Sequence, residues 1–317
     1  MKLTVLVPTY RRPDDLVRCL KAIQAQTRSA DEVLVTVRDI DADTWAFLDT
    51  LDPAYLPLKV LTVTVSGVVA AMNLGFESAS GDIISVTDDD AAPHADWLER
   101  IEAHFLADEQ VGGVGGRDYV YHGDRLEEGT KAIVGKVSWF GRVIGNHHIG
   151  TGIAREVDVL KGVNMSFRRE ALANLRCDER LKGSGAQVHF EMALCFGVKQ
   201  KGWKLIYDPS VAVDHYPAQR FDEDGRQSFS AIATFNAIYN ETFVLLNYLS
   251  PIQGSVYLLW ASLVGTRSSF GLVQFLRFLP KERQLALKKW QAATNGRWQG
   301  WQNWNKSDRF DNQEELT

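Results

Sequence analysis

The chain has little cysteine and no cysteine pattern. Cys19, Cys177 and Cys195 are odd in number, scattered through 317 residues and without metal-ligand spacing. That excludes a disulfide scaffold and a thiolate metal site, and reduced cysteines fit a cytoplasmic setting. No run of about eighteen apolar residues occurs, so no clear membrane-spanning helix is expected. Lys2 precedes only a short apolar run that ends at Pro8, which does not read as a secretory signal. Excess positive charge is absent too. The formal net charge is -5, which argues against nucleic acid as a partner. No G-x-G-x-x-G follows the first apolar run, and this sets aside a dinucleotide oxidoreductase. Internal repeats and low-complexity segments are also lacking.

What remains is a globular composition, 45% hydrophobic and 24% charged, with enough chain for one large core or two fused ones. The first third alternates between two periods. Leu3 to Val7 reads as a buried strand. Pro13 suits a first helical turn, Asp14 and Asp15 suit its positive end, and Leu16, Leu20 and Ile23 recur at helical spacing. Val33 to Val37 predicts a second strand, Trp45 to Leu51 a short helix and Val60 to Val65 a third strand. Val68 to Ala79 reads as a small-residue helix, Ile83 to Val86 as a fourth strand, and Trp97, Ile101 and Phe105 as a further helix. This alternation predicts an α/β fold with a mostly parallel sheet and helices on both faces. The segment from Gly112 to Tyr216 reads as irregular and glycine-rich, with a helix near Glu191 to Lys199 and a strand at Lys204 to Ile206. From about Ser228 the chain reads as helical and aromatic. A boundary is placed near Gly225, after Asp222, Glu223 and Asp224, giving a catalytic domain over 1–225 and a helical region over 226–317.

In parallel sheets, ligands bind beyond the carboxyl ends of the strands. Polar residues cluster at those ends: Pro8, Thr9, Tyr10 and Arg11, then Asp39 and Asp41, then Ser66 and Gly67, then Asp88, Asp89 and Asp90. Three adjacent carboxylates repel one another unless a cation sits among them, and hard divalent cations bridge carboxylates to phosphates. The competing reading is an acidic turn that caps the next helix near Pro93. Asp39 could accept hydrogen bonds from a base or ribose, or simply start a turn. Asn73 lies among small residues that allow close approach to a ligand, or close helix–sheet packing. Glu191 sits among Phe190, Met192 and Leu194, and its neighbours should raise its pKa as a general base requires. An exposed helical glutamate is the alternative. His215 ends an apolar alternation and fits either a metal ligand or a structural histidine.

Together these residues resemble the family 2 glycosyltransferases of the GT-A fold. Val7-Pro8-Thr9-Tyr10-Arg11-Arg12 is similar to the family's first strand and donor loop. Asp39 falls where the family holds its base. Gly67 to Gly75, ending Met72-Asn73-Leu74-Gly75, resembles its R-N-x-G helix, with Met72 in place of Arg. Asp88-Asp89-Asp90 resembles the D-x-D motif, with Trp97-Leu98 beyond it. Lys161 to Arg169 resembles the acceptor-side strand and contains Asn164. Asp178-Glu179-Arg180-Leu181 and Gly183-Ser184-Gly185 precede the base segment, where Glu191 takes the carboxylate position and Phe190 replaces the first acid. Val213-Asp214-His215 resembles the closing pattern, whose histidine binds the metal in several members.

The resemblance covers roughly residues 1–216 and implies a metal-assisted, inverting transfer. Residues 1–110 would form the nucleotide-sugar and metal half, and 111–225 the acceptor half. Pro8, Thr9, Tyr10, Arg11, Asp39, Asn73, Asp88 and Asp89 would contact the donor, a UDP-sugar first among candidates. Asp88, Asp90 and His215 would hold Mn or Mg, Asn164 would lie on the acceptor side, and Glu191 would be the base. The acceptor would be a glycan or a lipid-linked species. No Q-x-x-R-W motif occurs, so transfer of one sugar is expected. A sugar nucleotidyltransferase is the first alternative, but Pro8 to Arg12 lacks a glycine-rich phosphate loop. A non-catalytic sugar- or nucleotide-binding protein is the second, on the strength of Met72 and Phe190. For the C-terminal region two readings stand. One is a helical subdomain packed on the catalytic core. The other is peripheral contact with the inner face of a membrane, because Thr242 to Thr266 carries no charge and Arg267 to Lys289 carries six Lys or Arg against one Glu.

Overall fold

The apolar run at the start of the chain is a buried strand in the computed structural model, which describes residues 1–52, 54–224 and 228–314. β1 (Leu3–Thr9) leads through α1 (Pro13–Gln24) to β2 (Glu32–Arg38), α2 (Ala42–Leu48), β3 (Leu58–Val63), α3 (Val68–Ser78) and β4 (Ile83–Thr87). Pro13 opens α1, and Leu16, Cys19, Leu20 and Ile23 form its buried face. Asp41 caps α2 by accepting from the Thr44 N–H. β1 pairs in parallel with β2 on one side and β4 on the other, and β2 pairs with β3. The order β3-β2-β1-β4 therefore reverses at β1. Right-handed crossovers then put α3 on the opposite face from α1 and α2. The crevice beyond the carboxyl ends of β1 and β4 is the switch point where such sheets bind ligands.

The chain continues through β5 (Ala91–Pro93), α4 (Trp97–Ala107), β6 (Val111–His122), β7 (Arg125–Leu126), a separate two-stranded hairpin of β8 and β9 (Lys136–Val137 and Val143–Ile144), β10 (Arg155–Val157), β11 (Asn164–Arg168), α5 (Phe190–Gln200) and β12 (Lys204–His215). β11 enters antiparallel between β4 and β6, and β12 runs parallel to β6. The full order is β10-β12-β6-β11-β4-β1-β2-β3, a mixed, mostly parallel sheet with helices. Its core joins Leu3, Val5 and Val7 of β1 to Leu16 and Leu20 of α1 and Trp97 and Ile101 of α4.

The middle segment corrects the expectation of irregular chain. Val111–His122 is one twelve-residue strand near the centre of the sheet, although it begins Val-Gly-Gly-Val-Gly-Gly. Glycine removes the side chains that would show a two-residue period, and it does so here because neighbours approach too closely for a Cβ. A Cβ on Gly112 would meet Trp203 at 2.5 Å, and one on Gly113 would meet Leu205 at 2.6 Å. At Gly116 a Cβ would lie 1.7 Å from the Val211 carbonyl oxygen and 2.6 Å from that of Asp208. Gly116 faces the point where β12 shifts register between Asp208 and Val213. β12 also runs nine residues past the predicted Ile206, because this bulge lets it resume pairing with β6 as far as His215. Gly116→Ala is expected to destabilise the chain by about 3 kcal/mol or more, since the clash is with backbone that cannot rotate away. Urea unfolding checks this, and an unchanged midpoint would contradict the packing.

The described chain divides into two compact units. The first holds Met1–Lys136, Ile144–Cys177 and Glu191–Phe221, and the second holds Val137–Val143, Asp178–Phe190 and the chain from Asp222 onward. The boundary expected at Gly225 lies outside the described residues. The second unit contains α6 (Ala231–Tyr248), α7 (Pro251–Leu263), α8 (Leu272–Glu282) and α9 (Gln284–Glu314). Ser230 caps α6, and Ser250 with Gln253 forms a reciprocal capping box on α7 behind Pro251. Gly296 and Gly300, one turn apart on α9, sit against the α6 backbone, where a Cβ would meet the Phe235 and Tyr239 carbonyl oxygens at 2.7 and 2.9 Å. Among the described residues no helix is long and apolar enough to cross a membrane.

Candidate active site

Two strand ends meet at the switch point. Thr9, the last residue of β1, donates its hydroxyl to Asp89 at 2.8 Å. Asp89 also accepts from the Arg12 guanidinium at 2.7 Å, and Arg12 lies 3.5 Å from Asp90. Asp89 is therefore turned inward, and it is 2% exposed. Its two neighbours point to another partner. β5 follows the triplet at once and pairs antiparallel with the end of β12, which sets His215 opposite Ala91. Each of Asp88, Asp90 and His215 then offers a ligand atom, and these atoms lie within 4.8 Å of one another. The triplet does not cap α4. β5 intervenes, Pro93 belongs to β5, and Asp96 precedes the helix.

The electrostatics are those of a crowded anionic group. Burial pushes the Asp89 carboxyl up to about 7, against the pull of Arg12 and with the help of Asp90. Burial and then Asp90 raise Asp88. Burial works against the Asp90 charge as well, but His215 and the Ala218 N–H hold it well below the usual carboxylate range. His215 Nε2 lies 3.4 Å from Asp90, and its Nδ1 lies 3.6 Å from Asp118. Burial disfavours its charge, yet Asp118 and Asp90 raise it to about 9. Arg12, His215 and Arg220 each draw on the charge of these carboxylates, which still crowd one another. Two carboxylates and an imidazole converging this way fit a divalent cation by donor type, and a cation would relieve the repulsion.

Arg12 and Asp118 are absent from the sequence-based site. Arg12 stands in the donor-loop motif, and its link to the triplet needs the fold. Asp118 is fully buried and contacts Lys161. It lies on β6 at the register of Val213, two residues along from the partner of His215, so the two side chains share a face. No local signal marks it, because its partners are forty or more residues away.

The remaining predicted residues separate. Asp39 is 41% exposed beyond β2, 3.5 Å from the Arg38 guanidinium. Asp41, two residues on, accepts from the Arg11 N–H and ties the β1 loop to α2. Arg11 adopts a left-handed backbone with φ 58°, and its guanidinium lies 5.2 Å from the Tyr10 ring and 6.0 Å from Phe221. Pro8 pairs with Thr36 inside the sheet. Asn73 uses both ends of its amide on the Cys177 backbone, at 3.0 and 2.8 Å, and so fastens α3 to that loop. Asn164 is 1% exposed, accepting from the Trp97 indole at 2.9 Å and donating to the Val211 carbonyl at 2.8 Å. Glu191 opens the first turn of α5, half-buried, while Phe190, Met192 and Leu194 around it are buried. The turn into α5 bends through Gln187 and His189, both non-glycine residues in left-handed conformation at φ 37° and 77°. Such strain clusters where a side chain must be aimed.

Residues 4–176, more than half the chain, match the family model described as glycosyl transferase family 2. The chain belongs to glycosyl transferase family 2. This family 2 glycosyltransferase is 35% identical over 231 residues to glycosyltransferase AglE of Haloferax volcanii, covering 71% of this chain and 70% of that protein. Its fold is similar to that of S. aureus TarS 1–349, solved in complex with UDP-GlcNAc, at TM-score 0.60 and 17% identity over 92% of this chain and 79% of that one. It is also similar to GalNAc-T7, solved with UDP, GalNAc and Mn2+, at TM-score 0.64 and 13% identity over 88% and 54%. These two likenesses show the GT-A fold.

Proposed function

We propose that this glycosyltransferase moves one sugar from a nucleotide diphosphate sugar, a UDP-sugar first among donors, to an acceptor hydroxyl, with inversion at the anomeric carbon. The observation that carries the proposal is the convergence of Asp88, Asp90 and His215 at the switch point. Those three residues would hold Mn or Mg, which when bound offsets the charge of the departing diphosphate. Asp118 behind His215 fixes the ring so that Nε2 faces the site. Arg12 holds Asp89 inward and keeps the β1 loop against the triplet. The Thr9–Arg11 loop and Asp39 bind the nucleoside. Residues 1–110 serve the donor and 111–225 the acceptor, a glycan or a lipid-linked hydroxyl. Glu191 takes the acceptor proton as the hydroxyl oxygen attacks the anomeric carbon, and the bond to the diphosphate oxygen breaks on the opposite side. One displacement inverts the centre.

The solved complexes of TarS with UDP-GlcNAc and of GalNAc-T7 with UDP and Mn2+ support the donor and metal assignments by similarity of fold. A panel of UDP- and GDP-sugars, assayed for nucleoside diphosphate release with manganese, tests the whole reading. Slow release from one donor without acceptor is expected, stopped by EDTA and restored by added manganese. Absence of release from every donor, with nucleotide still bound, would make the chain a binding module. Release untouched by chelator would remove the metal.

A further inference from the structure

The second unit carries an apolar surface that packing does not explain. α8 has two apolar faces. Phe275 stacks on Trp290 and Phe278 on Phe270, so that side faces the unit's own interior. Leu272, Val273, Leu276 and Leu279 lie on a different stripe and are 38–55% exposed. α7 repeats the pattern. Tyr257 and Ala261 are buried, while Ile252 and Leu259, two turns apart, are 70% and 62% exposed. The two helices touch, so their stripes belong to one hairpin. Beside α7, Phe140 of the β8–β9 hairpin packs edge-on against Trp260, and the adjacent Trp139 is 62% exposed.

The charge around this surface is of one sign. Residues 251–306 contain eight Lys or Arg, of which Arg297 is buried inside the unit, against one acid, Glu282, in a chain whose net charge is -5. Glu282 is itself paired with Lys289 at 2.7 Å. Arg277 and Lys281 are exposed and follow the apolar stripe along one edge of α8. An exposed apolar helix face edged by cations, with an exposed indole nearby, has the make-up of an element that lies in a membrane interface. A second copy of the chain fits poorly, because a two-fold contact would bring this basic edge against itself.

We propose that the α7–α8 hairpin docks the protein onto an anionic lipid surface, with Leu259, Val273 and Leu276 entering the interface and Arg277 and Lys281 meeting the headgroups. Such docking would hold the enzyme at a bilayer surface. It does not depend on the donor or metal assignments above.

The test is flotation of the full chain with vesicles of phosphatidylcholine alone and of phosphatidylcholine mixed equally with phosphatidylglycerol. Flotation is expected with the mixed vesicles only. Each base near an anionic surface contributes about fivefold to partitioning, so Arg277→Glu with Lys281→Glu should lower the bound fraction at least tenfold. Val273→Glu with Leu276→Glu should abolish flotation while the circular dichroism spectrum, the thermal midpoint and donor hydrolysis in solution stay those of the parent. Equal flotation with neutral vesicles, or none with either, overturns the proposal. So does a dimer in sedimentation velocity that the Val273→Glu, Leu276→Glu variant converts to monomer without any vesicle binding. If that variant misfolds, the Arg277→Glu, Lys281→Glu variant still decides the matter, because it touches only exposed charges.

Discussion

Asp90→Asn is expected to lose the manganese-dependent part of nucleotide diphosphate binding, and with it donor turnover. Outer-shell changes at metal sites cost about 10–100-fold in affinity. A ligand should cost at least the upper end of that range. The substitution is well suited to a binding measurement because it should not unfold the chain. Asparagine keeps an oxygen for the Ala218 N–H, which Asp90 accepts at 2.9 Å. It also removes one of three crowded carboxylates and leaves Arg12 bound to Asp89. Asp90 supplies the charge-based hold on His215 from one side, and Asp118 keeps that ring in place from the other. Calorimetry with UDP, with and without manganese, reads the effect. Equal affinity in parent and variant, together with indifference of the parent to EDTA, would remove Asp88, Asp90 and His215 as a metal site.

Glu191→Gln is expected to lower turnover by about 10²–10⁴-fold, the usual contribution of a general base. Size and hydrogen-bonding reach are kept, and only the capacity to take a proton goes. Nucleotide affinity should stay near that of the parent, because the triplet and the β1 loop lie on other elements of the chain. Initial rates at saturating donor, set beside calorimetric donor affinity, separate the two effects. Near-parent turnover would move the base elsewhere. His189, two residues before it in the chain, is the next candidate, with a ring that burial pushes down to about 4 and so makes a weaker base than an ordinary imidazole. Loss of donor affinity with unchanged rate at saturation would instead tie Glu191 to the fold of α5.

Much of this site could be read from residue order because its parts follow strands that advertise themselves. β1, β2 and β4 are short, continuous apolar runs with polar residues directly behind them, as buried parallel strands require. A reader who places the strands also places Thr9, Asp39 and the acidic triplet at one edge of the sheet. The helical C-terminal region was legible from its run of aromatic residues beyond Ser228, whereas the serine caps of α6 and α7 emerged only with the structure. Where side chains vanish, the signal vanishes too. The glycines of β6 carry no pattern, so the strand that holds Asp118 looked like loop.

The sequence by itself determined the strand–helix alternation, the family and the set of acidic residues available for chemistry, since each follows from short-range periodicity or local motif. Only the tertiary structure decided which of them meet. The pairing of β5 with β12 brings His215 to Asp90 across more than a hundred residues, and the register of β12 on β6 brings Asp118 behind it. It also decided that Asp89 turns inward to Arg12, and that Asn73 and Asn164 spend their amides on the backbone of Cys177 and Val211. An amide or a carboxylate reads the same in a sequence whether it faces a ligand or a carbonyl group. What separates the two outcomes is the partner, and strands distant in the chain supply that partner only when the sheet closes.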